Sequence, residues 1–221
     1  MTSSLRGAAP LLLAAGVLFA APFVLATRPS FSSWVGAHDP GARAAKGPIA
    51  RALGPLASVL ASIEWVRFRS ALQSGDPARA YAIAEHALDL DPRSERGWLE
   101  LSQHLIFIRG SEQEAPALAD RRRWIEEGLS VLERGEAKSA YPEELAYFAW
   151  LVRSSYLAEI PEEELGWPGG SSSLLLRGRE DLARAAAAGR KGASETLEAF
   201  DESLRRRGLE PGSVEVSPGD R

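Results

Sequence analysis

Cysteine is absent from the 221 residues. That absence removes disulfides, thiolate metal sites, cysteine nucleophiles and a lipid-modified N-terminal cysteine, and it leaves the compartment open. Runs of β-branched residues are nearly absent while alanine and leucine abound, so strands are not expected. An excess of positive charge is lacking too. The formal net charge is -4, which gives no broad attraction for nucleic acid. The usual catalytic patterns are missing as well. His38, His86 and His104 lie far apart and form no His-Glu-x-x-His spacing. Pro168-Gly169-Gly170-Ser171 lacks the lysine and the preceding strand of a phosphate loop, and no serine stands in a nucleophile elbow. Glu126-Glu127, Glu143-Glu144 and Glu162-Glu163-Glu164 are sequence neighbours. On a helix such neighbours point about 100° apart and do not converge on one atom. No catalytic, metal or cofactor-binding residue is assigned, no cofactor is expected, and the chain is not expected to be an enzyme.

What the chain does have is hydrophobic content of 45% against 25% charge, the balance of a globular protein. Its most informative stretch runs from Trp65 to Leu105. Ser74-Gly75 suits a helix stop, because glycine reaches left-handed angles without a Cβ clash. Asp76 suits an N-cap and Pro77 the first helical position, where a missing N–H costs nothing. Ala80, Ile83, Ala84, Ala87 and Leu88 then recur at helical spacing. Most of that face is small, so two helix backbones can approach closely. Asp91-Pro92 ends the helix, since the residue before proline avoids the α region. Ser94 can cap the next helix, where Trp98, Leu101, Ser102 and Leu105 form a stripe.

This pattern resembles the tetratricopeptide repeat, whose period is about 34 residues. Gly75, Ala80, Ala87 and Pro92 fall at its turn glycine, its two second-helix alanines and its closing proline. Trp98, Leu101 and the small Ser102 fall at the first-helix signature of the following unit. The preceding helix departs from the pattern: Trp65 lies about one position from the usual aromatic, and Phe68 stands where a small residue is usual. Together with an apolar N-terminal segment and repeated tryptophans, the arrangement resembles bacterial membrane-anchored tetratricopeptide-like proteins of unassigned function. The resemblance implies an all-α, short solenoid of helical hairpins and brings no catalytic residues.

Gly7 to Thr27 carries no charge and separates Arg6 from Arg28 by about 21 residues, enough to span a bilayer as a helix. Two readings stand: an uncleaved signal anchor, or a signal peptide cleaved after Ala26 at Val24-Leu25-Ala26. The first tethers the domain on the periplasmic or extracytoplasmic side; the second releases it as a secreted protein. Residues 29–47 read as a Pro-, Gly-, Ser- and Ala-rich linker with Phe31 and Trp34 placed to meet a membrane interface.

The helical domain is expected over 48–160. Its first helix is predicted over Pro48 to Gln73, divided at Gly54-Pro55, and its third over Glu95–Ile108, ended by Gly110. Ser111 and Glu114 have capping-box spacing. A fourth helix is predicted from Leu118 to Arg134, with Leu118, Ile125, Leu129 and Leu132 on one face, followed by a loop from Gly135 to Tyr141. Pro142 opens a fifth, with Leu145, Phe148, Ala149, Val152 and Tyr156 at helical spacing. A loop over 161–173, a helical pair over 174–207 and a disordered tail over 208–221 complete the expectation.

The expected function is a non-catalytic scaffold that binds a protein or peptide on its concave face, tethered to a membrane through residues 7–27. The alternative is a structural subunit of a bacterial membrane or envelope complex that docks through its N-terminal helix. Trp124 with Arg121, Arg122 and Arg123 forms the candidate partner contact, because aromatics and arginines anchor interfaces.

Overall fold

The computed structural model describes residues 53–54 and 56–210. The apolar segment 7–27, the linker 29–47 and residues 211–221 of the expected tail lie outside them. Among the described residues every regular element is helical and no strand occurs. In chain order the elements are α1 (Leu56–Gln73), α2 (Pro77–Leu90), α3 (Glu95–Gln103), α4 (Leu118–Glu136), α5 (Pro142–Leu151), α6 (Glu162–Leu165), α7 (Gly170–Ala187) and α8 (Ala193–Arg206). α3 continues as a π-helical segment, His104–Arg109. α5 continues through a π-helical segment, Val152–Tyr156, into a 3₁₀ turn, Leu157–Glu159. Neighbours in sequence pack in pairs: α1 on α2, α3 and its extension on α4, α5 on α7, and α7 on α8.

The turn between α1 and α2 forms as its residues dictate. Gly75 takes φ +75°, which a Cβ would strain. Asp76 accepts a hydrogen bond from the Arg79 N–H at 3.1 Å, and Pro77 opens the helix. Ala80, Ile83, Ala84, Ala87 and Leu88 are all buried. α2 ends at Leu90 with Asp91 as its cap. Gly54, at φ +53°, precedes α1, in keeping with the expected division at Gly54-Pro55.

Several boundaries differ from the sequence expectation, each for a local reason. The third helix does not stay α-helical to Ile108: it loosens to π geometry at His104. Ser94 occupies the N-cap position of α3 without a side-chain hydrogen bond. Ser111 and Glu114 do not open a helix. The Ser111 hydroxyl accepts from the Glu114 N–H at 3.4 Å, but the Glu114 carboxylate turns to Arg109 at 2.8 Å, so the reciprocal half of the capping box is lost. Leu118 is 40% exposed rather than on the buried face of α4, because it sits in the first turn, before the helix meets its partner. α4 runs through Gly135 to Glu136, and the expected loop starts later. A Cβ at Gly135 would lie 2.7 Å from Trp98 Cγ and 2.7 Å from Leu145 Cδ1. That glycine is a close-approach point inside a helix, not a stop. The loop over 161–173 is interrupted by α6 and ends early, since α7 already begins at Gly170.

The main core runs continuously from Phe68 on α1 to Leu174 on α7 and holds Trp98, Leu101, Leu105, Ile125, Leu132 and Leu145 at its centre. Gly97 brings α3 close to α1: a Cβ there would meet the Trp65 ring at 3.0 Å and Leu88 at 3.1 Å. A smaller cluster joins α5, α7 and α8 through Ala146, Trp150, Leu182, Ala185 and Ala193. The long helices thus bury their apolar faces mainly against helices near them in the chain.

Candidate interaction surface

The repeat-signature residues lie inside the molecule or in its turns. Ala80, Ala87, Trp98 and Leu101 are at most 1% exposed. Trp98 rests on Gly135 of α4, and its indole N–H donates to the Pro92 carbonyl at 3.0 Å. Lys138 and Arg134 sit over the ring at 5.4 and 5.8 Å from its centroid. These contacts make Trp98 a packing residue that ties the α2–α3 turn to α4.

The arginine run at the start of α4 is split by helix geometry. Successive residues point about 100° apart, so the three side chains leave in three directions. Arg121 donates to the Glu164 carbonyl at 3.1 Å and Arg122 to the Gly166 carbonyl at 2.9 Å. Both therefore hold the segment around α6 against α4. Arg123 is exposed. Trp124 is half-buried, with the Arg109 guanidinium stacked 4.8 Å from its centroid and the Tyr81 ring 6.0 Å away on a tilt. Of the four candidate contact residues, two serve internal clamps and one lies under an internal cation.

Beside Trp124, Tyr81 and His104 hydrogen-bond across 3.2 Å, and Phe68 meets the His104 ring edge-on at 5.7 Å. Burial, helped by the positive field of Arg109, lowers the His104 pKa to about 4. Burial likewise holds the Tyr81 phenol well above its usual range. Both groups are therefore neutral near pH 7, which fits a packed polar contact between α2 and α3.

The sequence reading missed an aromatic shelf formed where the two π-helical segments meet. Phe107 stacks edge-on against Tyr156, with centroids 5.0 Å apart, and against Phe148 at 6.4 Å. Phe107 is 37% exposed and its neighbour Ile108 is 52% exposed. The shelf bridges the first helices of two successive hairpins. A signal for it existed: Leu105, Ile106, Phe107 and Ile108 are four consecutive apolar residues, more than one helix face can bury. Leu105 and Ile106 go inward, and the other two remain outside.

A concavity of about 210 Å³ runs between α1 and the start of α3, lined by Trp65, Asp91, Arg96 and Glu100 among others. The Arg69–Glu100 pair, bidentate at 2.8 and 2.9 Å, crosses it. Among the described residues no three histidine, cysteine, aspartate or glutamate side chains gather at metal-binding distance. No described helix is long and apolar enough to cross a membrane. No family model matches the chain, and neither the curated proteins nor the solved structures contain a match.

Proposed function

We propose that the chain is a non-catalytic interaction scaffold, a short tetratricopeptide-like stack of helical hairpins tethered to a membrane by residues 7–27, with its domain on the extracytoplasmic side. The support is the succession of packed helix pairs α1–α2, α3–α4 and α5–α7, together with the uncharged run from Gly7 to Thr27. The single observation that carries the binding role is the Phe107–Phe148–Tyr156 shelf. It exposes aromatic edges across two hairpins, and partly exposed aromatics are typical anchors for a peptide or protein partner. This moves the contact from the arginine run to the shelf and leaves Arg123 as a rim charge. The alternative role, a structural subunit of a membrane or envelope complex, is favoured by the same apolar run, which would then do the docking.

A photo-crosslinking phenylalanine analogue at position 107, in the full chain in its native membranes, tests the reading. A discrete crosslinked partner, lost from the same membranes when Tyr156→Ser is added at unchanged melting temperature, is expected. Crosslinks of equal yield from position 107 and from position 123, or none from either, would refute it. Retention of the partner by a fusion carrying residues 1–28 alone would favour the docking subunit.

A further inference from the structure

The bend of the first hairpin holds a small cavity that neither the repeat signature nor the aromatic shelf accounts for. Arg67, Ser70, Ala71 and Ser74 stand at i, i+3, i+4 and i+7, so they share one face at the C-terminal end of α1 and just beyond it. Arg79 and Ile83 stand at i and i+4 on α2. The packing of α1 on α2 brings the two faces together around a notch of about 110 Å³ lined by these six residues. Ala71 and Ile83 are buried and give it an apolar floor. The two arginines and the two serines form its walls.

The nearby carboxylates are engaged elsewhere. Glu64, the one carboxylate of α1, is buried and receives the Arg67 guanidinium at 2.7 Å. That contact fixes Arg67 and leaves further N–H donors on the same guanidinium. Asp76 is turned to the start of α2, where it accepts from the Arg79 backbone N–H at 3.1 Å. Glu85, further along α2, is paired with Arg134 at 3.1 Å. Arg79 is exposed, and its guanidinium meets no carboxylate among the described residues. Ser70 is exposed, with a hydroxyl that bonds no described residue, while the Ser74 hydroxyl donates to the Ala71 carbonyl at 2.9 Å. Two guanidinium groups and one hydroxyl thus border a cavity that supplies them no acceptor.

We propose that this notch binds one phosphate monoester group. The phosphoryl oxygens take the remaining N–H groups of Arg67 and Arg79 and the Ser70 hydroxyl, and the apolar floor receives the first carbon atoms of the ester. A phosphate monoester carries close to two negative charges near neutral pH and three acceptor oxygens. Each guanidinium fork can hold two oxygens, and forks from two helices meet a tetrahedral group from two sides. A carboxylate brings one charge and a planar pair of oxygens, enough for one fork only. The volume admits a phosphoryl group and little more. The notch lies in the first hairpin, on other helices than the Phe107–Phe148–Tyr156 shelf, so it stands or falls apart from the scaffold reading.

Calorimetric titration of the full chain with glycerol phosphate tests the site, in maltoside micelles near pH 7 with ionic strength held constant by sodium chloride. One saturable site is expected, competed by inorganic phosphate and not by acetate. Arg79→Gln should weaken it at least ~10-fold at unchanged melting temperature, because that side chain forms no internal ion pair. Arg67→Lys, which keeps a charge for Glu64 and loses the fork, should weaken it as well. Arg177→Gln, at an exposed arginine of α7, should leave it unchanged. Absence of a saturable site would overturn the proposal. So would equal affinity for acetate, an unaltered affinity in Arg79→Gln, or an equal loss in Arg177→Gln, which marks diffuse charge attraction. Repeating the titration in phosphatidylcholine nanodiscs with and without phosphatidic acid separates two sources of the same group. Glycerol phosphate displaced by phosphatidic acid assigns the notch to a lipid headgroup, and glycerol phosphate retained assigns it to a soluble ester; either upholds the site.

Discussion

The two sides of α5 are held by different physics. Toward the earlier helices, Leu145, Ala149 and Val152 join an apolar core with Trp98, Leu101 and Leu132, in which each side chain is at most 1% exposed. Toward α7, beside the smaller Ala146–Trp150–Leu182–Ala185 cluster, the π-helical continuation of the same helix presents Arg153, which is 8% exposed and pairs with Asp181, itself 1% exposed. Arg184 bonds the other Asp181 oxygen at 2.7 Å and reaches Glu136 at 3.0 Å; Arg153 also reaches Glu133 at 3.1 Å. Burial pushes the Asp181 carboxyl up, against the pull of Arg153 and Arg184. α8 is then joined to α7 by the Arg179–Asp201 pair at 2.7 Å, with only Ala193 and Leu204 buried on its own length. The difference teaches where specificity comes from. An apolar interface tolerates shifts in register, whereas a buried charge tolerates only the partner placed for it.

The comparison can be broken most severely at its apolar side. Trp98→Ala removes a fully buried ring from the wall formed by Gly135, and a loss of about 3–5 kcal/mol is expected. A chemical melt should show it as a large drop in midpoint that is the same at pH 6 and pH 8. A near-native midpoint would mean that the ring is dispensable to the core.

On the charged side, Asp181→Ala leaves Arg153 buried without its main partner and should cost about 3–5 kcal/mol. The double variant Arg153→Met with Asp181→Leu sharpens the contrast. It should recover most of that loss, because neither desolvated charge remains. If the double variant is as unstable as the single one, the network supplies stability and not only register.

The contact between Tyr81 and His104 gives a smaller, pH-dependent effect on the apolar side. The folded pKa of His104 is lowered from the ordinary 6.5 to about 4, so the unfolded chain binds the proton first as pH falls. Its contribution is fully present above about pH 6.5 and is lost progressively toward pH 4. Since the ring is only partly buried, a loss of about 1–2 kcal/mol across that window is expected. His104→Gln should flatten this part of the stability–pH curve. A curve with unchanged slope would show that His104 does not carry the acid sensitivity.

The smallest expected effect is local. Asp76→Ala removes the side-chain acceptor for the Arg79 N–H and should cost about 1 kcal/mol. The same change should leave a variant already weakened at Asp181 weaker by the same amount, since the two sites share no contact. A coupling much larger than ~0.5 kcal/mol would show that the α1–α2 turn and the α5–α7 charge network do not act independently.

Legibility in the sequence tracks the range of each interaction. The turn at Gly75, Asp76 and Pro77 was legible because every force in it acts within four residues. The buried face of α2 was legible from its spacing alone. Gly135 reads as a loop in the sequence because glycine inside a helix ordinarily costs about 1 kcal/mol; nothing local announces that a ring 37 positions earlier needs the room. The arginine run looked like a surface feature, yet Arg121 and Arg122 bond carbonyls more than 40 residues away. Asp181 and Arg153 lie 28 residues apart, and neither carries a mark of its partner. The aromatic shelf depended on π geometry, which has no residue signature comparable to a cap.

That geometry has a genetic consequence. A π turn holds one more residue than an α turn, so each segment behaves as a tolerated single-codon insertion within its helix. α3 and α5 carry one each, and Phe107 and Tyr156, whose rings meet, lie in these two segments. Deleting one codon between His104 and Phe107 would let α3 continue in α geometry with the residues beyond the deletion kept near their present facing, whereas the same deletion in an uninterrupted α-helix turns them by about 100°.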